Sequence, residues 1–267
     1  MRIGVDVFGI ASVAAGIMDL VWGEFEAAHQ PIQALSDHIA GVTVLAYIAA
    51  IWLIAGGAAI MWRATARAGA AALAIIYFIF AAFLFPRFYT APHFLGHHPG
   101  VYFGVLASVA QQLILVVAAF IVYASPYARS SSYSDSLSPL TAVIARCIFG
   151  LCSVFFGLAH ITGMQGVAAM IPNWMPLGGI FWAILTGIAF VLAGLAIISG
   201  ILGVLAARLL ALMLLIFSAF VLVPMIFAYP HNHIAWGGNA YNLAAVGAAW
   251  ILADWLATRG ARNALRP

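Results

Sequence analysis

The stretch VYFGVLASVAQQLILVVAAFIVY, residues 101–123, runs for 23 residues without a charged side chain. At 1.5 Å per residue a helix of this length spans about 35 Å, which is enough to cross the hydrocarbon core of a bilayer. The apolar character is continuous, whereas a strand of a lipid-facing barrel would alternate between apolar and polar residues. The segment therefore predicts a transmembrane helix.

The rest of the chain has the same character. Of its 267 residues, 66% are hydrophobic and 6% are charged, whereas soluble domains have about 25% charged residues. Such a composition predicts an all-α membrane protein whose surface faces lipid. The eight predicted spans are 3–22, 40–62, 68–85, 101–123, 141–160, 180–202, 206–228 and 238–257.

The two halves of the chain resemble each other. Residues 8–16, FGIASVAAG, align with residues 149–157, FGLCSVFFG, and five of the nine positions are identical. An even number of spans in each copy gives both copies the same orientation, so the eight helices are predicted to form two parallel four-helix repeats. The predicted units are a first repeat over 1–123, a Ser-rich cytoplasmic linker over 124–140, a second repeat over 141–257 and a basic cytoplasmic tail over 258–267.

Small residues recur four positions apart within these spans, as Ser12 with Gly16 and Ser153 with Gly157. Faces of this kind allow helices in a membrane to approach closely, so we interpret them as packing surfaces. The uncharged stretch 163–172 predicts a short helix at the outer interface.

The basic residues orient the predicted bundle. Lysine is absent, and of the ten arginines only Arg87 falls on the opposite side from the other nine. The positive-inside rule predicts that the side with nine arginines is cytoplasmic and holds both termini. The absence of lysine and the many alanines indicate a GC-rich bacterial genome, so the predicted location is the bacterial inner membrane. Arginines scattered at span ends are topology signals, so no nucleic-acid partner is predicted.

The histidines map to the other, outer side, together with most of the acidic residues. Ionisable groups within the ends of spans are costly, and they mark functional positions in membrane proteins. We therefore predict a ligand-binding or proton-handling role for Asp19 and His160, which lie within span ends. His231 and His233, in the outer loop between spans seven and eight, are predicted to provide further polar contacts. Their chemistry suits proton relay or hydrogen bonding to a quinol head group.

A second group of histidines, His93, His97 and His98, lies between spans three and four. Imidazole is a ligand for divalent transition metals, so these residues are the predicted metal site. The sequence contains no recognisable nucleophile with a base, phosphate loop or Cys-x-x-Cys pair, which leaves enzymatic activity undecided. The cofactor stays open between a quinone and a divalent transition metal.

The second half resembles the DoxX-like family of small four-helix membrane proteins. The residues that carry the resemblance are Arg146, Gly150, Gly157, His160, Pro172 to Pro176, Phe181, Trp182, Thr186, Gly187, Ala193, Gly194, His231 to His233, Trp236 and Asn242. The resemblance covers about residues 142–257, with a diverged copy over 3–123. It implies a tandem four-helix bundle, and the family includes a DoxD-type subunit associated with thiosulfate:quinone oxidoreductase.

Three functions stay open at this point. The first is interaction with a quinone or a membrane redox partner through an outer-facing polar cavity. The second is transport of a small solute or metal along the interface between the repeats, and the third is a non-enzymatic membrane scaffold. The first repeat has Asp19 where the second has His160, so a symmetric pair of sites is not expected.

Overall fold

The structure of the protein, a computed structural model, describes residues 1–26, 29–30, 40–128 and 138–264, and the regular secondary structure within these residues is all helical. A π-helical turn over Ser218–Leu222 joins the ninth and tenth helices without a break. The helices are α1 Arg2–Trp22, α2 Val42–Met61, α3 Ala66–Phe83, α4 Arg87–Leu95, α5 Pro99–Ala124, α6 Pro139–Thr162, α7 Met164–Met170, α8 Gly178–Ser199, α9 Gly203–Phe217, α10 Val223–Ala228 and α11 His233–Ala264.

Eight helical segments within the described residues are long and apolar enough to cross a membrane, as the sequence predicts. They are α1, α2, α3, α5, α6, α8, the continuous segment α9–α10, and α11. Most predicted boundaries agree to within three residues. The exception is α11, which begins at His233 rather than at residue 238 and continues to Ala264. The chain is therefore a multi-pass membrane protein.

Two short helices lie between the spans. The predicted helix at 163–172 is present as α7, over Met164–Met170. The segment between spans three and four, expected to be a loop, instead forms α4, with Pro92 inside it.

The spans pack in chain order around a closed ring. Each span contacts the next along the chain, and α11 returns to contact α1. The two fourth spans, α5 and α11, also contact each other across the bundle. We call α1, α2, α3 and α5 the first half, and α6, α8, α9 and α11 the second half. This neighbour order is the one expected of two copies, while the duplication itself stays a prediction.

The small-residue faces are helix contacts, as predicted. A Cβ atom added at Gly16 would lie 2.5 Å from the carbonyl oxygen of Ala50 in α2. In the second half, a Cβ atom added at Gly157 would lie 2.5 Å from the carbonyl oxygen of Gly187 in α8. Only glycine allows the backbones to approach this closely, so these positions set the α1–α2 and α6–α8 spacing.

The two ends of the bundle differ in chemistry. At one end, which we call the arginine end, the amino group of Met1 pairs with Asp254. Arg67 in the same region lies 4.6 Å from the ring centroid of Tyr123 and donates to its hydroxyl. The opposite end, which we call the histidine end, holds the last turns of α1 and α6 and the first turn of α11.

Some residues on which the predictions depend fall outside the described residues. They include one of the outer histidines, His38, two of the nine inner arginines, Arg129 and Arg266, and the greater part of the predicted linker. Within that linker, α5 continues through Ala124, a 3-10 turn covers Pro126–Ala128, and α6 begins at Pro139.

Candidate functional site

A cavity of about 760 Å³ lies in the second half at the histidine end. Its walls come from α6, α7, α8, α9 and α11, with one residue, Gln111, from α5. Gln111 lies 12 residues into α5, which places it about 18 Å along that helix from the histidine end. The cavity therefore extends from the end of the bundle towards the middle of the membrane.

The walls of the cavity are mostly apolar and rich in aromatic rings. The aromatic residues that line it are Phe156, Trp174, Trp182, Phe190, Phe217 and Phe220. Phe156 and Phe190 stack on each other with centroids 5.5 Å apart. The indole nitrogen of Trp182 donates to the carbonyl oxygen of Pro176, which fixes that ring at the cavity rim. An apolar cavity with few polar groups is typical of a site for a small organic molecule.

The π-helical turn shapes one wall of this cavity. Pro224 follows the turn and has no backbone N–H, which disturbs the regular helical hydrogen bonds before it. Asn242 from α11 holds the disturbed segment, because its amide donates to the Leu214 carbonyl at 2.8 Å and to the Ser218 hydroxyl at 2.9 Å. The Ser218 hydroxyl in turn donates to Asn239 Oδ1. Irregular turns of this kind are frequent at functional sites.

His160 is the ionisable residue that lines the cavity. Its Nδ1 lies 2.8 Å from the carbonyl oxygen of Phe156, and a carbonyl can only accept. Nδ1 therefore donates this bond, and the neutral ring is left with Nε2 as an acceptor. Thr186 also lines the cavity, with its hydroxyl donating to the Trp182 carbonyl. Polar groups thus lie at His160, Thr186, Gln111 and Asn242 among apolar walls.

A second polar centre lies at the same end, where α1 and the residues after it pack against the start of α11. We call it the first-half centre because its acidic side chains, Asp19 and Glu24, belong to the first half. Asp19, fully buried, has Oδ1 3.4 Å from Nε2 of His233. The other ring nitrogen of His233, Nδ1, lies 3.6 Å from Oε1 of Glu24. Trp22 stacks on the His233 ring, with centroids 4.9 Å apart and an interplanar angle of 4°. This imidazole therefore lies between two carboxylates and beneath an indole.

Residues 23–26 and 29–30, which follow α1, are the described residues next to this centre. His29 is buried, stacks on Phe80 at 4.3 Å and meets the Tyr241 ring edge-on at 4.1 Å. Neither ring nitrogen of His29 has a hydrogen-bond partner among the described residues. Burial, with smaller contributions from the nearby side chains of His233 and Arg87, lowers the pKa of His29 from 6.5 to about 3. His29 is therefore neutral in the folded protein at physiological pH.

Glu26 and Arg87 complete the charged surroundings of the first-half centre. Glu26 is buried against α11, where a Cβ atom at Gly237 would collide with its Cγ. Burial lowers the pKa of Arg87, and the charge of Glu26 acts in the opposite direction. Deeper in the same half, the hydroxyls of Ser12 and Tyr77 share a buried hydrogen bond of 2.8 Å.

The predicted site residues therefore separate into different places. Asp19 of α1 and His233 of α11 come together in the first-half centre, whereas His160 lies in the cavity of the second half. His231 is exposed, although it is only two residues from His233.

The predicted metal ligands His93, His97 and His98 are also exposed. His93 stacks on Tyr89, and His97 Nδ1 lies 2.9 Å from the Tyr102 hydroxyl. Among the described residues, no group of three or more His, Cys, Asp or Glu side chains is arranged to hold a metal ion. The metal site stays a prediction of the sequence.

Sequence reasoning did not select Glu24, Tyr241 or Gln111 as site residues. Glu24 was one of several acidic residues on the outer side. Tyr241 was one of many outer aromatic residues, which an interfacial aromatic belt explains. Gln111 stands next to Gln112 in an otherwise apolar span, and this polar pair is the signal that could have identified it.

No protein-family model matches the chain, and neither the curated proteins nor the solved structures contain a match to it.

Proposed function

We propose that the protein is a DoxX-like protein of the bacterial inner membrane that binds a quinone or quinol in the second-half cavity. One observation carries this proposal: the sequence resemblance and the cavity coincide. Six of the residues that resemble the family also line the cavity, namely His160, Trp174, Met175, Trp182, Thr186 and Asn242. They come from different parts of the second half, so their meeting at one cavity favours a shared ligand.

The chemistry of the cavity suits a quinol. A quinol has a flat aromatic ring with two hydroxyl groups and a long apolar tail. Phe156 and Phe190 offer aromatic faces for the ring, and the apolar walls can hold the first part of the tail. His160 Nε2 accepts a hydrogen bond from a quinol hydroxyl when the ring is neutral, whereas an oxidised quinone has only carbonyl acceptors. The reduced form should therefore bind more tightly.

The redox chemistry itself belongs to a membrane partner in this proposal. The partner transfers electrons to or from the ring, and this chain holds the ring in place. The arginine end faces the cytoplasm, as nine of ten arginines indicate. The cavity then lies in the outer half of the membrane.

Binding can be measured directly on the purified protein. Trp174 and Trp182 line the cavity, so their fluorescence reports a ligand there. We expect a decyl-tailed benzoquinol to quench this emission saturably, and its oxidised form to bind more weakly. Replacing His160 by Leu should weaken quinol binding by about tenfold, which corresponds to about 1.4 kcal/mol.

A matched substitution controls for the loss of an imidazole. His93→Leu changes an exposed histidine at the same end of the bundle and should leave quinol affinity unchanged. Ala189→Trp fills the cavity and should abolish saturable quenching while the protein still unfolds cooperatively. Equal affinity in the wild type and in both cavity variants would rule out this site.

Transport is a second candidate, favoured by a different observation. A second cavity of about 650 Å³ lies at the arginine end of the same half, lined by Arg146, Arg208 and Arg259 among others. A small space lined by Ser153 and Phe190 lies between the two ends. Flux of small anions, cations or metal ions into protein-containing liposomes tests this function. If neither ligand binding nor flux is observed, a non-enzymatic membrane scaffold is the remaining candidate function.

A further inference from the structure

The first-half centre contains three ionisable side chains whose exposure decreases step by step. The side chain of Glu24 is 44% exposed, that of His233 is 6% exposed, and that of Asp19 is 0% exposed. The His233 ring bridges the two acids, with Nδ1 3.6 Å from Glu24 and Nε2 3.4 Å from Asp19. One imidazole therefore connects a carboxylate at the surface with a carboxylate inside the protein.

A second observation is the number of buried polar atoms around this centre. Tyr241 Oη and both ring nitrogens of His29 are buried and have no hydrogen-bond partner among the described residues. His233 Nε2 is buried and forms no hydrogen bond of good geometry with a described residue. Buried groups of this kind are rare in proteins, and at functional sites they are retained for their chemistry.

We propose that Asp19 is a buried proton-binding site, and that Glu24 and His233 form the relay that connects it to the histidine end. The ligand of this site is the proton. This function does not depend on the quinone cavity, because Asp19, Glu24 and His233 do not line that cavity.

Each transfer step keeps protons and charge in balance. A proton from bulk water first adds to the Glu24 carboxylate. The Glu24 O–H bond then breaks as a bond forms between that proton and His233 Nδ1, and the Nε2–H bond of His233 breaks as its proton forms an O–H bond with Asp19. The ring is neutral before and after the step, and it does not need to rotate, because its two nitrogens already face the two acids.

A structural ion pair alone does not account for this arrangement. Such a pair would need only Asp19 and His233, whereas the accessible carboxylate at the second ring nitrogen adds a connection to the surface. The other titratable or charged groups near the centre are Glu26, His29, Tyr77, Arg87 and Tyr241. Among the acids, Glu26 is buried against α11, so Glu24 is the one that provides the route to the surface.

Trp22 provides a built-in reporter for the experiment. The emission of an indole shifts with nearby charge, and Trp22 stacks on the His233 ring that contacts Asp19, so protonation of the Asp19 carboxylate changes its fluorescence. The full chain in lipid nanodiscs is titrated between about pH 4 and about pH 9, a range that covers protonation of a buried carboxylate. The signal is the difference between the wild type and Trp22→Phe.

We expect a single transition in this difference signal, and we expect Asp19→Asn to remove it, because this variant lacks the carboxylate that takes up the proton. Glu24→Gln should slow the fluorescence relaxation after a rapid pH jump by about tenfold, because it removes the entry group of the relay. The Glu24 side chain is 44% exposed, so this variant should fold even where Asp19→Asn does not.

Asp6→Asn is the matched control. It removes one negative charge at the arginine end, where Asp6 lies 3.7 Å from Arg2. It should leave both the midpoint and the rate unchanged. A missing Trp22-dependent transition, or an unchanged relaxation rate in Glu24→Gln, would overturn the proposal.

Discussion

His29 allows a quantitative test of the buried first-half centre. Its folded pKa is about 3, compared with 6.5 for an unperturbed histidine. Between these values the unfolded chain binds a proton at residue 29 that the folded protein excludes, so stability is lost as the pH falls below 6.5. Each pH unit corresponds to about 1.4 kcal/mol, so at about pH 4.5 the loss from this residue is about 3 kcal/mol.

The substitution His29→Phe isolates this contribution. Phenylalanine keeps the stacking on Phe80 and removes two ring nitrogens that have no hydrogen-bond partner among the described residues. At about pH 7.5 the variant should unfold within about 1 kcal/mol of the wild type, as expected for a substitution that nearly conserves volume. At about pH 4.5 it should be more stable than the wild type by about 3 kcal/mol.

The assay is reversible chemical unfolding in detergent micelles at both pH values. Other groups also titrate in this range, but they are common to both proteins and cancel in the difference. His93→Phe alters an exposed histidine and should follow the wild type at each pH. The reasoning is refuted if the stability curves of the wild type and His29→Phe stay parallel from neutral to acidic pH.

The remaining predictions concern packing, hydrogen bonding and topology. Gly157→Ala places a methyl group against the Gly187 carbonyl and should lower the free energy of unfolding by about 1–3 kcal/mol. Gly166→Ala is the control, because an added Cβ atom there has no neighbour within 4 Å, and it should leave stability unchanged. Equal unfolding curves for the two variants would contradict the close α6–α8 contact. Ser12→Ala and Tyr77→Phe should each destabilise the protein, and a double-mutant cycle should give a coupling of about 0.5–1.5 kcal/mol from their buried hydrogen bond. Additive effects would show that the two hydroxyls do not interact. A reporter that is active only in the cytoplasm should be active when fused to the carboxyl terminus, and activity only of an external reporter would reverse the proposed orientation.

The spans could be predicted from the sequence because a membrane imposes a simple rule on it. Any segment that crosses must be long and apolar, and segments such as 101–123 meet this rule without reference to the rest of the chain. The same holds for the small-residue contacts at Gly16 and Gly157, since close helix packing needs small side chains wherever the partner lies. The predicted start of α11 was wrong because His233 is polar and lowers the apolar signal of the first turn.

The composition of the site could be predicted only in part. Asp19 and His160 occupy aligned positions near the ends of α1 and α6, but their surroundings differ. Asp19 is fully buried beside His233, whereas His160 lines the cavity of the second half. The pairing of Asp19 with His233 depends on α1 packing against α11, and a contact between opposite ends of the chain leaves no local signal in the sequence.

The most direct test of the central claim is the position of a bound quinone in the protein. A photoreactive quinone analogue is added to membranes that contain the wild-type chain, activated by light and mapped by mass spectrometry of peptides. We predict labelling of the residues around the cavity on α8 and α9, suppressed by excess unlabelled quinol and lost in Ala189→Trp. Labelling spread over the lipid-facing surfaces of both halves, with no competition by quinol, would contradict the account.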